Sequence, residues 1–94
     1  MPSTTTTQPI ALISGANTGI GLAVATSLAR DHGHHVIIGY RNAAAGTEAA
    51  KSITDLGFSA SSVKLDLASD EDIDAAVKYV DETFGRLDVL VNNA

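Results

Sequence analysis

The segment SGANTGIG, which runs from Ser14 to Gly21, decides the fold of this chain because it separates two elements with different hydrophobic patterns. The residues before it, Pro9–Ser14, form a mostly apolar run that is typical of a strand buried on both faces. The residues after it, Gly19–His32, form an amphipathic helical pattern whose apolar face is predicted to pack on the core. That face has Ile20, Val24 and Leu28 four positions apart, with Ala25 and Ala29 beside them. The segment is therefore predicted to be a tight turn from a buried strand into a helix.

The rest of the chain alternates in the same way between strand and helix patterns. Further strands are predicted at His35–Tyr40, Ser61–Leu67 and Leu87–Val91, and further helices at Ala43–Leu56 and between the N-cap Ser69 and Gly85. Strands separated by helices of this length pair in parallel through right-handed crossovers. The sequence therefore predicts an α/β chain with a Rossmann-like, doubly wound parallel sheet of four strands and three crossover helices, in the strand order 3-2-1-4.

Three glycines in the turn have separate physical roles. Gly15 permits a tight turn off the strand, Gly19 lets a ligand approach the backbone, and Gly21 lets the helix pack closely on the sheet. The first N–H groups of the helix and the positive end of its dipole then favour an anion such as a pyrophosphate. A P-loop is excluded because no Lys-Ser or Lys-Thr pair follows the turn. The turn is predicted to bind the phosphates of a nucleotide.

Composition limits the chain to one small domain. It has 94 residues, of which 45% are hydrophobic, and its formal net charge is -5. The negative charge argues against nucleic-acid binding, and the absence of cysteine excludes disulfides and thiol catalysis. No apolar run is long enough for a membrane span, so we expect a cytoplasmic protein without membrane contact. Residues 1–8 are expected to be a flexible tail and residues 9–94 a folded domain.

Three motifs in register resemble the short-chain dehydrogenase/reductase family. They are the glycine spacing of Gly15, Gly19 and Gly21, the pair Asp66-Leu67 after the third strand, and the segment LVNNA at Leu90–Ala94. Ser14 departs from the threonine usual in the family but keeps a hydroxyl group. The resemblance implies a partial NAD(P)-binding Rossmann domain over residues 9–94. It implies these cofactor-binding residues: Gly15, Asn17, Thr18, Gly19, Ile20, Gly21, Arg41, Asp66, Leu67, Asn92 and Asn93.

The end of the second strand bears on the choice of cofactor. NAD-selective sites usually have an acidic residue there, but the segment Ile38–Asn42 contains no carboxylate. Arg41 stands where a guanidinium could bind a 2′-phosphate. The resemblance therefore implies NADP(H), with NAD(H) less favoured. The alternative is that Arg41 is an ordinary solvated arginine. A second feature of NADP-preferring family members, a basic residue inside the glycine turn, is missing, since the turn contains Asn17 and Thr18.

The resemblance also implies carbonyl reduction or alcohol oxidation by hydride transfer on a small-molecule substrate, in a homo-oligomeric full-length protein. Family members use a Tyr with a Lys four residues later, but here Ala44 follows Tyr40 and Thr83 follows Tyr79 at that spacing. We therefore assign no catalytic residue. We expect the chain to be the truncated, cofactor-binding part of a longer enzyme, and inactive by itself.

Two alternative functions remain, a non-catalytic NADP(H)-binding module and an S-adenosylmethionine-dependent methyltransferase variant. The second usually needs an acidic residue at the end of the second strand, and Tyr40-Arg41 argues against it. The histidines at 32, 34 and 35 are interpreted as surface residues, with no metal site. The acidic run Asp70–Asp74 is interpreted as helix capping, because it lacks the ligand spacing of a calcium loop.

Overall fold

A computed structural model of the chain describes residues 8–16 and 19–93. The strands are β1 (Ile10–Ser14), β2 (His35–Tyr40), β3 (Ala60–Lys64) and β4 (Val89–Asn92), and the helices are α1 (Gly19–His32), α2 (Ala43–Asp55) and α3 (Asp70–Phe84). Within the described residues the strands form one sheet in the order β3-β2-β1-β4, and every strand pair is parallel. The predicted α/β class, Rossmann-like topology and strand order are confirmed.

Strand β1 lies at the centre of the sheet and is buried along its whole length. It pairs with β2 on one side, where Ile10 is opposite His35, and with β4 on the other, where Ala11 is opposite Val89. Because β1 has a neighbouring strand on both sides and helices on both faces, all of its side chains are buried, which explains its continuous apolar pattern.

The two faces of the sheet are covered by different helices. Alternate residues of β1 and β2 face α1 and α2, whose small side chains complete the first core cluster: Ala11, Ile13, Val36, Ile38, Ala25, Ala29, Ala49, Ala50 and Ile53. The opposite residues face α3 in a second cluster: Ile10, Leu12, Ile37, Leu65, Ala76 and Val80. The alternation follows from the two-residue period of a strand.

Helix α1 packs through the side of its predicted apolar face that carries Ala25 and Ala29, and Leu28 is partly buried against the same core cluster. Its buried residues are Gly21, Ala25 and Ala29, whereas Ile20 is 77% exposed. The prediction that Ile20 belongs to the core is therefore wrong. Small side chains let the helix axis approach the sheet closely, which leaves the neighbouring branched residues at the edge of the contact.

Several element boundaries also differ from the predictions. Strand β3 covers Ala60–Lys64 instead of Ser61–Leu67, because its last ladder bond, from Leu65 N to Tyr40 O, is followed by a turn in which Ser69 N donates to Asp66 O at 2.8 Å. Strand β4 begins at Val89 and not at Leu87. No helix in the described part of the chain is long and apolar enough to cross a membrane.

Candidate nucleotide-binding site

The candidate site lies where β1 ends and α1 begins. Gly15 and Gly19 have φ angles of +63° and +61°, a region that residues with a side chain rarely adopt. Asn17 and Thr18, predicted to bind the cofactor, lie outside the described residues, as does most of the predicted flexible tail over residues 1–8. The positive φ angles confirm the predicted turn and show that it requires glycine at positions 15 and 19.

Ser14 connects this turn to β4. The residue is 2% exposed, and its Oγ accepts a hydrogen bond from Asn93 N at 3.0 Å. The hydroxyl donates to Asn92 Oδ1 at 3.2 Å or to Val91 O at 3.4 Å. The hydroxyl therefore fixes the backbone and side chains at the end of β4 against the end of β1, a role that a threonine hydroxyl could also fill.

The close packing at Gly21 has a specific cause. Asn93 Nδ2 donates to Gly15 O at 3.2 Å, which places the asparagine amide against the start of α1. A Cβ at Gly21 would overlap that amide and would lie 2.8 Å from Gly15 O. Only glycine at position 21 allows α1, the turn and Asn93 to pack together. We refer to Ser14, Gly15, Gly21, Asn92 and Asn93 as the carboxyl-end cluster.

The N-terminus of α1 is accessible and has no acidic residue in its first turn. An ideal Cβ at Gly19 would meet nothing within 4 Å among the described residues, and Ile20 beside it is exposed. The first N–H groups of a helix lack partners within the helix and carry a partial positive charge. These features fit the pyrophosphate of a dinucleotide at this end of α1.

Asp66 follows β3 at the same edge of the sheet. Its Oδ1 accepts from Ala68 N at 3.0 Å, and its own backbone N–H donates to Asp72 Oδ2 at 3.1 Å. Among the described residues, the bond from Ala68 N is the one hydrogen bond to the Asp66 carboxylate, so Asp66 Oδ2 can accept a hydrogen bond from a ligand. Leu67 beside it is 42% exposed and lines an apolar groove between α3 and β4.

Arg41 follows β2 and is exposed. The next residue, Asn42, is the N-cap of α2, with its Oδ1 accepting from Ala45 N at 3.0 Å. The first turn of α2 contains no carboxylate. Arg41 therefore precedes a helix N-terminus, and both the guanidinium and the helix dipole favour a negatively charged group there.

The structure brings part of the predicted site into direct contact. Gly15, Gly21, Asn92 and Asn93 meet in the carboxyl-end cluster, whereas Arg41, Asp66 and Leu67 follow the ends of neighbouring strands β2 and β3. Sequence reasoning missed Asp72. The sequence signal that points to Asp72 is its capping pattern with Ser69. As that pattern predicts, Ser69 Oγ accepts from Asp72 N at 3.2 Å, but the Asp72 carboxylate accepts from Asp66 N.

His35 is a half-buried residue, and its interpretation as a surface histidine is wrong. Its Nδ1 contacts Ser59 Oγ, and its Nε2 lies 2.9 Å from Ser61 Oγ, which accepts from the Tyr79 hydroxyl at 2.9 Å. Burial lowers the pKa of His35 below its usual value. We refer to these four residues as the amino-end cluster, since His35 is the first residue of β2. Among residues 8–16 and 19–93, no group of three metal-binding side chains occurs.

Comparison with known sequences assigns the family. The sequence model of short chain dehydrogenases matches residues 9–94. The chain belongs to the short-chain dehydrogenase family. Its topology and its glycine turn at the end of β1 are those expected from the resemblance of its sequence to that family.

Similar members of the short-chain dehydrogenase family come from bacteria, fungi and mammals. Galactitol 2-dehydrogenase of Agrobacterium fabrum is 48% identical over 85 residues, which are 90% of this chain and 32% of the relative. The short-chain dehydrogenase anuI of Penicillium roqueforti is 39% identical over 94% of this chain and 35% of its own length. Carbonyl reductase (NADPH) 1 of Rattus norvegicus is 37% identical over 93% of this chain and 31% of the relative. The chain spans about a third of the length of these relatives.

Solved structures of the family share the fold. L-sorbose reductase from Gluconobacter frateurii, complexed with NADPH and L-sorbose, superposes with a TM-score of 0.87 at 39% identity, over 93% of this chain and 33% of that one. An actinorhodin polyketide ketoreductase with NADPH also gives a TM-score of 0.87, at 36% identity over 93% of this chain and 33% of that one. The cofactor in both of these relatives is NADPH.

Proposed function

We propose that the chain is the dinucleotide-binding part of an NADP(H)-dependent oxidoreductase. The observation that carries the proposal is the accessible N-terminus of α1, which follows a turn with two positive-φ glycines and has no acidic residue in its first turn. Gly15, Gly19 and Ile20 are proposed to surround the pyrophosphate with Asn17 and Thr18, while Gly21 lets α1 approach the turn. The backbone N–H groups supply the hydrogen bonds, so the site needs no lysine.

The adenosine half of the cofactor is proposed to lie across the ends of β2 and β3. Asp66 Oδ2 accepts from the adenine amino group, and the exposed Leu67 side chain contacts the adenine ring. Arg41 binds the 2′-phosphate, which distinguishes NADP(H) from NAD(H). The absence of a carboxylate from Ile38–Asn42 supports the same choice, because an acidic residue there would repel the phosphate.

The two asparagines are proposed to act on the cofactor mainly through the protein. Asn93 fixes the Gly15 carbonyl and Asn92 accepts from Ser14, so both residues hold the phosphate-binding turn against β4. The Asn92 Nδ2 group can donate to the bound dinucleotide. Holding a site rigid before the ligand arrives increases affinity, because less ordering remains to be done on binding.

For the whole protein we propose hydride transfer between the nicotinamide and a small-molecule carbonyl or alcohol, in a cytoplasmic homo-oligomer. The substrate is supported by the names of the relatives, which include a galactitol dehydrogenase, a carbonyl reductase and an L-sorbose reductase. No residue of this chain is proposed as catalytic. The alternative, a non-catalytic NADP(H)-binding module, requires the same binding, and only a hydride-transfer assay on the whole protein separates the two.

The test is a titration of the chain with NADPH, followed by nicotinamide fluorescence, and with NADH as the comparison. We expect NADPH to bind more tightly than NADH. Arg41→Ala should weaken NADPH by about 1.5–3 kcal/mol, because it removes a charge-assisted bond to phosphate, and should leave NADH nearly unchanged. Arg30→Ala is the matched control, since Arg30 is also exposed but lies in the last turn of α1. Equal binding of NADH, or unchanged NADPH binding by Arg41→Ala, would contradict the NADP(H) assignment.

A further inference from the structure

We propose that Asp72 is a positioning residue for adenine recognition, which it controls by fixing Asp66 from the first turn of α3. The inference rests on the proposed function, because it needs Asp66 to accept from the adenine amino group. Asp72 itself does not touch the cofactor in this proposal. It acts through one hydrogen bond, from Asp66 N to Asp72 Oδ2 at 3.1 Å.

Asp66 is held at three of its polar groups. Its carbonyl accepts from Ser69 N at 2.8 Å, its Oδ1 accepts from Ala68 N at 3.0 Å, and its N–H donates to Asp72. The first two bonds lie within one turn and move with it. Among the described residues, the bond to Asp72 is the one that reaches past the N-cap into the first turn of α3, so that bond fixes where the free carboxylate oxygen lies relative to the helix.

Helix capping does not account for the position of the Asp72 carboxylate. Ser69 is the N-cap of α3, and its Oγ satisfies Asp72 N at 3.2 Å. In a reciprocal capping box the Asp72 side chain would return to Ser69 N, but Ser69 N donates to the Asp66 carbonyl instead. The carboxylate is thus released from the helix and used to hold the residue that follows β3.

The surroundings of Asp72 support a fixed position. Its side chain is 15% exposed, and its second oxygen lies 3.8 Å from Lys64 Nζ at the end of β3. Lys64 is 65% exposed, so the ion pair is largely solvated and contributes little by itself. The two oxygens connect α3 to both sides of the β3 terminus, at Lys64 and at Asp66.

The test compares NADPH with its hypoxanthine analogue, in which an oxygen replaces the adenine amino group. Wild-type chain should bind NADPH about threefold to tenfold more tightly than the analogue, since the analogue loses the hydrogen bond to Asp66. Asp72→Ala should remove most of this preference, because Asp66 is no longer fixed. Asp72→Asn, which keeps an acceptor for Asp66 N, should retain it.

Two controls separate positioning from charge and from stability. Asp70→Ala removes the same charge from the first turn of α3, at an exposed residue, and should keep the preference. If Asp72→Ala does not fold, Asp72→Glu serves in its place: it keeps the charge but displaces the carboxylate, and it should reduce the preference.

The outcomes are distinguishable. A wild-type chain that binds NADPH and its analogue equally overturns the role of Asp66 and, with it, that of Asp72. A wild-type preference that survives in Asp72→Ala, or in Asp72→Glu where the first does not fold, overturns the role of Asp72 alone. If Asp72→Asn and Asp72→Ala lose the preference for NADPH over the analogue equally, the positioning role of Asp72 is also overturned. The effect would then come from the lost charge, since asparagine keeps the acceptor for Asp66 N.

Discussion

The two ends of the sheet each carry a hydrogen-bonded cluster, and the clusters differ in how completely their polar groups are used. The carboxyl-end cluster joins β1 to β4 through the Ser14 hydroxyl and the Asn93 amide. The amino-end cluster joins β2 to β3 and α3 through His35, Ser61 and Tyr79. Both connect elements that are distant in sequence, so both stabilise the tertiary structure.

The difference lies in what is left unpaired. In the amino-end cluster both ring nitrogens of His35 face serine hydroxyls, and the Phe84 ring packs against the imidazole with a centroid distance of 4.7 Å. At the carboxyl end, the bonds among the described residues involve Ser14, Gly15, Asn92 and Asn93 and not the first N–H groups of α1, which have no partner within the helix. A cluster that satisfies its own groups serves the fold, whereas one that holds unsatisfied groups in place can serve a ligand.

The largest effect is expected from Gly21→Ala, which breaks the carboxyl-end cluster by steric overlap. The added Cβ would meet the Asn93 amide and the Gly15 carbonyl, so the turn or α1 must shift. We expect about 1–3 kcal/mol less stability in denaturant unfolding, with loss of NADPH binding. Ala23→Leu, at an exposed position of the same helix, should change neither quantity by much.

Adding Asn93→Ala to Gly21→Ala sharpens this test. The double variant removes the amide from the path of the new Cβ but leaves the Gly15 carbonyl at 2.8 Å from it. Stability should therefore recover only in part. Full recovery would show that the asparagine side chain alone requires glycine at position 21, and no recovery would show that the backbone carbonyl does.

A smaller effect is expected from Ser14→Ala. The substitution removes the hydroxyl of Ser14, a residue that is 2% exposed, together with its bonds to the end of β4, which should cost about 1–1.5 kcal/mol of unfolding free energy. Ser14→Thr keeps the hydroxyl and should cost less. Ser61→Ala is the counterpart at the amino end and should also cost less than Ser14→Ala, because Ser61 is only half-buried and water can replace its hydroxyl. Equal losses in Ser14→Ala and Ser61→Ala would remove the distinction between the clusters.

The topology and the glycine turn after β1 were predictable because both depend on local patterns. Buried strands, helix caps and positive-φ glycines leave their mark within a few residues of sequence, and the structure has β1, the turn and α1 where those marks indicate. The burial predicted for Ile20 was wrong for a physical reason. Helix α1 packs through Gly21, Ala25 and Ala29, whose small size favours close approach but contributes little to a hydrophobic pattern.

The contacts between distant residues were not predictable from the sequence. The capping pattern of Ser69 and Asp72 marks the start of α3, but it does not show whether the Asp72 carboxylate accepts from Ser69 N or from Asp66 N, since either bond would satisfy a backbone N–H that precedes the helix. Likewise, the pairing of His35 with Ser61 depends on the register of β2 against β3, where Ile37 lies opposite Ser61. Register is set by the packing of the whole sheet, so these side-chain pairs emerge only once the fold is known.

The smallest effect expected concerns the amino-end cluster and pH. Burial lowers the pKa of His35 in the folded chain below the value of 6.5 expected in the unfolded chain. Between those two pKa values the unfolded chain binds more protons, so the free energy of unfolding is complete above pH 6.5 and falls as the pH drops below it. A protonated ring can only donate, so Ser59 and Ser61 would both have to accept from it, and Ser61 would then use both lone pairs, one for the ring and one for the Tyr79 hydroxyl.

Denaturant unfolding between about pH 8 and pH 5 should therefore show a loss of stability on the acidic side that His35→Gln reduces. His32→Gln, at an exposed histidine, should leave the slope of the wild-type chain unchanged. Parallel curves for the wild-type chain and His35→Gln would mean that the imidazole is protonated without loss in the folded state. The amino-end cluster would then accommodate a charge despite its closed hydrogen bonding, and the contrast with the open carboxyl end would rest on the α1 N-terminus alone.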